Sequence, residues 1–287
     1  MKKAHTTVLK KEAVELLNVE PNQDFIDCTA GEGGHSREIL KRNGPNGKVL
    51  AFEWDSRMYE RLADQNIDRL KLINKSYVFL KEVVQDLGIN PAGVLLDLGM
   101  STWHIKESGK GFTFQEDEPL DMRYNRESLL TAKEVVNHWK EGDLTNIIQK
   151  YSDEKYAKKI AMEVIRSRPL ETTGDLVKAI RRAVPKNYER GRIHPATRTF
   201  QALRIVVNAE LNNLREVLPQ AFDVLEIGGR IVVISFHYLE DEEVERYFKK
   251  QEGLEVVKKV TPSDREVARN PSSRSAILRV AKKINDK

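Results

Sequence analysis

Residues 25–36 read FIDCTAGEGGHS, an apolar run that ends in an acid and continues into a glycine-rich turn. Three of the four residues at positions 31–34, just after the run, are glycines: Gly31, Gly33 and Gly34. Glycine lets the backbone turn sharply and approach a ligand closely, because it has no Cβ atom. The stretch therefore predicts a buried strand, a tight turn that accommodates a nucleotide-like ligand, and a helix that starts at the turn.

Apolar runs alternate with amphipathic segments through the first hundred residues. Apolar runs at 24–29, 48–53, 70–76 and 92–99 predict strands, and amphipathic segments near 35–43, 56–65 and 78–87 predict helices. Strands that are apolar along nearly their whole length are typical of a parallel sheet with helices on both faces.

The second half of the chain changes character. Residues 126–190 show helical patterns only, 194–218 predicts one long helix, and strands resume at 228–236, 254–260 and 275–283. We predict an α/β fold with a mostly parallel, seven-stranded, Rossmann-like sheet and an all-helical insertion. The predicted domains are 1–124 with 191–287 for the sheet and 125–190 for the insertion.

Composition restricts the class of protein. The 287 residues are 40% hydrophobic and 32% charged, as in ordinary globular proteins, and Cys28 is the single cysteine. One cysteine excludes an internal disulfide framework, and the six histidines lack the spacing of a metal site, so we expect no metal. No apolar run reaches the length of a membrane span or a signal peptide, so we expect a cytoplasmic protein without membrane contact.

Positive charge is concentrated in two stretches, residues 180–215 and 258–287, although the net charge is only +4. Clustered arginine on a mildly basic protein indicates a polyanionic partner. A solvated surface face produces the same pattern, and charge alone does not decide between the two.

The glycine turn fits a methyl donor better than a dinucleotide. A dinucleotide fingerprint would need a third glycine where this chain has Ser36, and Asp27 would repel a pyrophosphate. Asp27 suits a cationic ligand instead. Glu53 ends the second strand, where an acid accepts hydrogen bonds from ribose, and Asp97 ends the fourth. The acids at the strand ends favour a site for S-adenosylmethionine.

Several longer strings are far more specific than this pattern. They are HTTVL (5–9), DCTAGEGGHS (27–36), LLDLG (95–99), GKGFTF (109–114), PLDMR (119–123), HPATRTFQALRI (194–205), GGRIVVISFH (228–237), LED (239–241) and NPSSRSAILRVA (270–281). In this order and spacing the chain closely resembles the RsmH/MraW family over essentially its whole length. That family consists of S-adenosylmethionine-dependent enzymes that methylate N4 of a cytidine in the decoding centre of 16S rRNA.

The resemblance implies a class I methyltransferase that acts on 16S rRNA or the small ribosomal subunit. By motif position it implies donor contacts from Gly33, Gly34, His35 and Asp97. Glu53 stands where the family has Asp for the ribose, and Tyr77 where it has an aromatic residue beside the adenine. His104 replaces a donor-contacting Gln. Together with the turn itself, the predicted cofactor residues are Asp27, Gly31, Gly33, Gly34, His35, Glu53, Tyr77, Asp97 and His104.

On the substrate side the family motifs do not name a catalytic group. Many amino-methyltransferases carry (D/N)PPY after the fourth strand, whereas this chain has Asp97-Leu98-Gly99. Our catalytic candidates are Asp97, His237 and Asp121, and Asp117 and Asp241 are expected near the cleft. For RNA we name His194, Arg198, Arg204, His237 and Arg274, with Phe112 and Phe114 for base stacking. Structural roles compete with several of these: a cap for His194, core for the phenylalanines, and an ion pair of Arg123 with Asp121 or Glu118.

Four residues depart from the family pattern near the substrate side: His104, Lys106, Tyr238 and Glu242. They keep open a paralogue that methylates another RNA site and a non-catalytic, donor-binding and RNA-binding ribosome-assembly factor. A nicotinamide-dependent dehydrogenase is a more distant alternative. A homodimer is compatible with the sequence, which leaves the oligomeric state undecided.

Overall fold

The computed structural model describes residues 7–188 and 193–286. His5 and Thr6 of the HTTVL string, and Arg190 and Arg192 of the first basic stretch, lie outside the described residues. The chain forms two compact units. We call residues 1–99 with 211–287 the sheet unit and residues 100–210 the helical unit.

The described residues form seven strands and thirteen helices. The strands are Phe25–Asp27 (β1), Val49–Phe52 (β2), Leu70–Ile73 (β3), Gly93–Asp97 (β4), Arg230–Ser235 (β5), Leu254–Val260 (β6) and Ile277–Lys283 (β7). The helices are Lys10–Leu17 (α1), Gly34–Arg42 (α2), Ser56–Ala63 (α3), Leu80–Leu87 (α4), Thr102–Lys106 (α5), Ala132–His138 (α6), Glu141–Ser152 (α7), Ala157–Arg166 (α8), Thr173–Ala183 (α9), Thr197–Val207 (α10), Glu210–Val224 (α11), Tyr238–Lys250 (α12) and Asp264–Arg269 (α13). None of these helices is long and apolar enough to cross a bilayer.

All seven strands belong to one sheet with the order β3-β2-β1-β4-β5-β7-β6. Strands β1 to β5 run parallel, and β7 runs antiparallel between β5 and β6. This is the strand order of class I methyltransferases, so the predicted fold class is confirmed.

Two apolar layers cover the faces of the sheet. On one face, residues of α1 and α2 pack with Leu95 and Ile234. On the other, residues of α4, α11 and α12 pack with Leu96 and Val233. The central strands contribute side chains to both layers, which explains why β4 and β5 are apolar along their length. The helices predicted near 35–43, 56–65 and 78–87 correspond to α2, α3 and α4.

The helical unit has its own core, which includes Leu144, Ile160 and Leu176 from α7, α8 and α9. Capping residues define where its helices begin. Thr172 and Asp175 form a capping box at the start of α9, and the Thr131 side chain accepts a hydrogen bond from Glu134 N at the start of α6. These contacts satisfy backbone N–H groups that have no partner within the helix.

The single long helix predicted over 194–218 is wrong, because the structure has two helices, α10 and α11. Ala209 separates them with a left-handed φ of 50°. The Asn208 side chain stabilises the break by donating to Met122 O at 2.8 Å and accepting from Tyr124 N at 2.9 Å. These partners lie more than eighty positions away in the chain, so helical periodicity gives no sign of the break.

The compact units divide after residues 99 and 210, whereas the sequence predicted boundaries at 124/125 and 190/191. Residues between 100 and 124 group with the helices because Phe112, Leu120 and Met122 are buried in the helical core. The predicted division into two functional domains stays a prediction.

Candidate functional site

The glycine turn connects β1 to α2 at the carboxyl edge of the sheet. Gly31 and Gly33 have φ values of 53° and 77°, which glycine adopts readily and other residues rarely adopt. A Cβ on Gly33 would come within 2.8 Å of Leu62 Cδ1 and of Arg37 Nη1. A Cβ on Gly34 would collide with Thr7, which therefore lies directly on the turn. Conformation therefore favours glycine at positions 31 and 33, and space favours it at positions 33 and 34.

Asp27 lies beneath the turn and is fully buried. Its carboxylate accepts hydrogen bonds from Ser36 Oγ at 2.6 Å and from Thr29 N at 3.1 Å. Burial raises the pKa of the Asp27 carboxyl above its usual value, against the lowering effects of His35 and these hydrogen bonds. With no exposed surface, Asp27 has no direct access to a ligand. We therefore propose that it positions the turn, in place of the donor contact that the sequence indicated.

Glu53 follows β2 and holds the turn from the other side. Its carboxylate oxygens accept hydrogen bonds from Gly31 N and from Asp55 N, each at 2.9 Å. Each oxygen keeps a second lone pair for a ligand hydroxyl. Burial raises the pKa of Glu53 to about 7, although the two backbone N–H groups act to lower it.

This pKa predicts that the binding of a ribose-bearing ligand beside Glu53 depends on pH. Below pH 7 the Glu53 carboxyl is protonated and has less capacity to accept hydroxyl hydrogen bonds, and above pH 7 it is ionised. If only the ionised form binds, the affinity for S-adenosylhomocysteine rises about tenfold from pH 6 to pH 8. Calorimetric titration across this range measures the effect, and Glu53→Gln should remove the pH dependence. An unchanged slope in that variant would assign the titration to another group.

His35 and Asp97 meet at the ends of neighbouring elements. His35 Nε2 lies 3.2 Å from Asp97 Oδ2, and Asp97 N donates to Thr29 Oγ1 at 2.7 Å. The Asp97 side chain remains 18% exposed at the carboxyl end of β4. His35 Nδ1 is buried without a hydrogen-bond partner in the described ranges 7–188 and 193–286. Of this pair, the Asp97 carboxylate is the group that a polar ligand can reach.

Tyr77 begins a short 3-10 turn after β3, and the Ser76 hydroxyl caps this turn. The Tyr77 ring is partly buried against the core on the α4 face of the sheet. Because β3, β2 and β1 are adjacent, the ends of these strands place Tyr77, Glu53 and the glycine turn along one edge. The edge offers the aromatic ring of Tyr77, the carboxyl of Glu53, the backbone of the glycine turn and the carboxylate of Asp97. These groups match the adenine, ribose and methionine parts of S-adenosylmethionine.

At the end of β5 the structure gives two predicted residues a structural task. His237 caps α12: its Nδ1 accepts from Glu240 N at 3.4 Å, and its Nε2 lies 3.2 Å from Glu240 Oε1. Asp241 forms two hydrogen bonds with Arg279, at 2.6 and 2.9 Å. Phe236, which sequence reasoning did not select, lies in the chain between β5 and His237 and is partly buried against the apolar layer that contains Ile234. Its position directly after the β5 apolar run was the available signal.

In the helical unit His104 belongs to an aromatic cluster. Its Nδ1 lies 2.8 Å from Ser101 Oγ, and its ring makes edge contacts with Trp103, Phe112 and Tyr124. Phe112 is buried and stacks on Tyr124 at 5.2 Å. These contacts hold His104 and Phe112 within the core of the helical unit.

Asp121 forms an ion pair with Arg123, which is one of the two structural partners that the sequence suggested for this arginine. Arg123 Nε and Nη2 each lie 2.8 Å from the Asp121 carboxylate. Burial acts to raise the pKa of Asp121, but the hydrogen bonds and charge of Arg123 prevail and hold it below its usual value. Asp117 accepts from Gly174 N at 2.8 Å, next to the α9 capping box.

His194 stacks on Phe114 at 4.6 Å, and its Nδ1 accepts from Ala196 N at 3.2 Å, which is a capping role. Burial and the nearby Arg181 both lower the pKa of His194. Arg204 makes a two-pronged ion pair with Glu210, at 2.8 and 3.0 Å. Arg198 donates to Asp153 O at 3.2 Å.

Arg274 is exposed, and strand register places it at the ligand edge. Ile277 at the start of β7 pairs with Ser235 at the end of β5, so the segment between β6 and β7 lies beyond the carboxyl end of β5. Arg265 and Arg269 on α13 are exposed in the same segment. We call Arg265, Arg269 and Arg274 the arginine rim. Glu266 also ties this segment to the N-terminus, because Leu9 N donates to Glu266 Oε1 at 2.7 Å.

Comparisons with known proteins agree over nearly the whole chain. Residues 2–284 match the MraW methylase family. A protein of Thermosipho africanus named "Ribosomal RNA small subunit methyltransferase H" is 44% identical over 98% of both chains. Proteins of the same name from Thermotoga neapolitana and Dehalococcoides mccartyi are 44% and 40% identical over 98% of this chain and 97% and 86% of their own lengths.

Proposed function

Because the chain belongs to the MraW methylase family, we propose that it is an S-adenosylmethionine-dependent methyltransferase of small-subunit rRNA. The reaction we propose is methylation of N4 of a cytidine in the decoding centre of 16S rRNA. The names of the relatives support the rRNA substrate, and the resemblance described above supports the cytidine. The observation that carries the proposal is the cluster of Glu53, the glycine turn and the His35–Asp97 pair at one edge of the sheet.

Each part of this edge has a task toward the donor. When bound, S-adenosylmethionine supplies a methyl group on a positively charged sulfur. Glu53 accepts hydrogen bonds from the ribose hydroxyls, and Tyr77 packs on the adenine. Gly31 and Gly33 let the backbone approach, while Asp97, oriented by His35, faces the cationic end. The sum of these contacts fixes the direction of the methyl group.

Alignment is the main requirement for the acceptor. The lone pair of cytosine N4 is delocalised into the ring, so the enzyme has to hold the amine in line with the methyl carbon and exclude water. As the N–C bond forms and the S–C bond breaks, one amine proton leaves. Of the three catalytic candidates we assign the acceptance of this proton to the Asp97 carboxylate, since His237 caps α12 and Asp121 is bound by Arg123.

The arginine rim is our proposed contact with rRNA phosphates in the sheet unit, and Arg198 is the proposed contact in the helical unit. Arg274→Ala should weaken RNA binding about threefold and reduce the salt slope of the affinity by about 1. Filter binding at several salt concentrations measures both quantities. Lys11→Ala is the control, because this lysine is 75% exposed and pairs with Glu15 on α1. An unchanged slope for Arg274→Ala would remove it from the RNA contact.

Labelled methyl transfer tests the proposed function. Small ribosomal subunits from cells that lack the gene receive the protein and labelled S-adenosylmethionine, with naked rRNA and tRNA as comparison substrates. Mass analysis of the nucleosides should find N4-methylcytidine in the 16S fraction. Transfer to a different nucleoside or RNA would support the paralogue suggested by His104, Tyr238 and Glu242. Donor binding without any transfer would support the assembly factor.

Two further parts of the proposal concern the cellular location and the oligomeric state of the protein. We propose a cytoplasmic location because the proposed substrate is ribosomal, and fractionation of cells tests it. We also propose a homodimer, for which light scattering on the purified protein gives the mass. A monomer mass at micromolar concentration would contradict it.

A further inference from the structure

Phe236 packs where the end of β5 meets the end of β4. Asp97 is paired with Ile234 in the sheet register, and Leu98 N donates to Ile234 O at 2.9 Å. Gly99 and Phe236 each lie two positions further along, so they continue the same register. A Cβ on Gly99 would lie 2.6, 2.8 and 3.2 Å from three atoms of the Phe236 ring. The ring therefore occupies the space that a side chain at position 99 would need.

The ring is on the same side of the sheet as the proposed donor contacts. Side chains alternate along a strand, so Leu95, Asp97 and position 99 share one face, as do Ile234 and Phe236. Leu95, Ile234 and Phe236 all pack in the apolar layer on the α2 side. His35, which meets Asp97, belongs to α2. Phe236 thus lies one row beyond the His35–Asp97 pair, on the outward side of the sheet edge.

The backbone beneath the ring is fixed before any ligand arrives. Phe236 N donates to Glu240 Oε2 at 2.8 Å, and His237 N donates to the same oxygen at 3.3 Å. Glu240 is buried and completes the capping box of α12. The ring itself is only partly buried. A rigid aromatic surface that keeps exposed area is suited to stacking against a planar ligand.

The aromatic residues that the sequence suggested for this task are occupied elsewhere. Phe112 stacks on Tyr124, and Phe114 stacks on His194 and contacts the edge of Phe200. The residues after β4 supply no aromatic ring before Trp103, in contrast to the (D/N)PPY pattern of many amino-methyltransferases. Phe236, on the strand that pairs with β4, brings a phenyl ring to the end of β4.

We propose that Phe236 is the stacking surface for the target base, and that residue 99 is glycine so that the ring can lie over the end of β4. This inference rests on the proposed function and names how the same site holds its acceptor. The base, unstacked from the RNA, lies against the Phe236 ring with its amine toward Asp97. A stacked base is a common mode of single-stranded RNA recognition and tolerates little lateral movement.

The test compares side chains that keep apolar volume but differ in aromatic character. Phe236→Leu should lower kcat/KM for small subunits about 10- to 100-fold, while Phe236→Trp should retain most activity. The affinity for S-adenosylhomocysteine should be unchanged in both variants. Tyr59→Leu, which changes a partly exposed aromatic residue on α3, is the matched control and should behave as the wild type.

Fluorescence gives a readout that does not need turnover. The probe is a fragment of 16S rRNA in which pyrrolocytidine replaces the target cytidine, with S-adenosylhomocysteine present. Stacking should quench the probe with the wild type and with Phe236→Trp, and the quenching should be lost with Phe236→Leu at saturating protein. Equal quenching and equal kcat/KM for Phe236→Leu and the wild type would overturn the inference while leaving the proposed function intact.

A double-variant cycle tests the role of Gly99. Gly99→Ala should lower kcat/KM, because the new methyl group displaces the ring, but it should have no further effect in a Phe236→Ala background. Gly142→Ala, which has open space around it, is the control. Equal losses from Gly99→Ala in both backgrounds would overturn the assignment of Gly99. Absence of methyl transfer by the wild type would overturn the proposed function and this inference with it.

Discussion

Asp97→Ala should weaken the binding of S-adenosylmethionine about 10- to 100-fold, the loss expected for one or two hydrogen bonds to a charged group. The carboxylate stands at the exposed end of β4, and its removal also takes away the partner of His35 Nε2. Methyl transfer at saturating donor should fall as well, since the same group faces the acceptor. Calorimetry for the donor and single-turnover kinetics for transfer separate the two losses.

The control for this variant is Asp68→Ala. Asp68 precedes β3, its side chain is 95% exposed, and its contact with Arg69 is 3.8 Å long. It should leave both donor affinity and transfer unchanged. Wild-type donor affinity in Asp97→Ala would place the methionine end of the donor away from β4 and contradict the site described above.

Gly33→Ala should abolish measurable donor binding and lower the free energy of unfolding by about 1–3 kcal/mol. The φ of 77° already disfavours alanine, and the new Cβ would meet Leu62 and Arg37 at 2.8 Å. The ends of the Leu62 and Arg37 side chains can give way, but the left-handed φ strains alanine at this position in any case. Relief of that strain shifts the backbone that the ligand approaches. Urea denaturation and calorimetric titration measure the two effects.

Gly88→Ala is the matched control because Gly88 also has a left-handed φ, 60°, but open space around its Cβ position. It ends α4, far from the glycine turn in sequence. It should cost about 1 kcal/mol of stability and leave donor binding unchanged. If Gly33→Ala and Gly88→Ala lost equal stability and both bound the donor normally, the turn would not be the donor site.

The sheet was predictable because its signals are local. Apolar runs bounded by polar residues marked the strands, and acids placed directly after them marked the ligand edge. The parallel arrangement followed from helices between strands, and it brings Glu53 and Asp97 to one edge with the glycine turn. The apolar composition of the strands and the helical periodicity between them were sufficient to predict this part of the fold.

Contacts between distant positions were not predictable. The break at Ala209 depends on Asn208 bonding to Met122 and Tyr124, so the helical pattern continued through it. Asp27 was expected to meet the ligand, but the depth of β1 in the sheet buries it beneath the turn. Burial of this kind depends on which strands lie on either side, and one strand's sequence does not contain that information.

The aromatic residues illustrate the same limit. Phe112 and Phe114 were chosen because they follow a family string, and the helical unit uses both in ring contacts. Phe236 was passed over because the pairing of β4 with β5, which places it over Gly99, is visible only in the register. The sequence pointed to this strand edge, but it did not point to the Phe236 ring that we propose for base stacking.

A crystal structure with S-adenosylhomocysteine would test the donor site most directly. The ribose hydroxyls should lie within hydrogen-bond distance of the Glu53 carboxylate, about 2.5–3.0 Å, with the amino-acid end beside Asp97 and His35. Tyr77 should contact the adenine, and the sulfur should point toward Phe236. A ligand whose ribose lies away from Glu53, or whose amino-acid end lies away from Asp97, would contradict the assignment of this strand edge as the methyl-donor site.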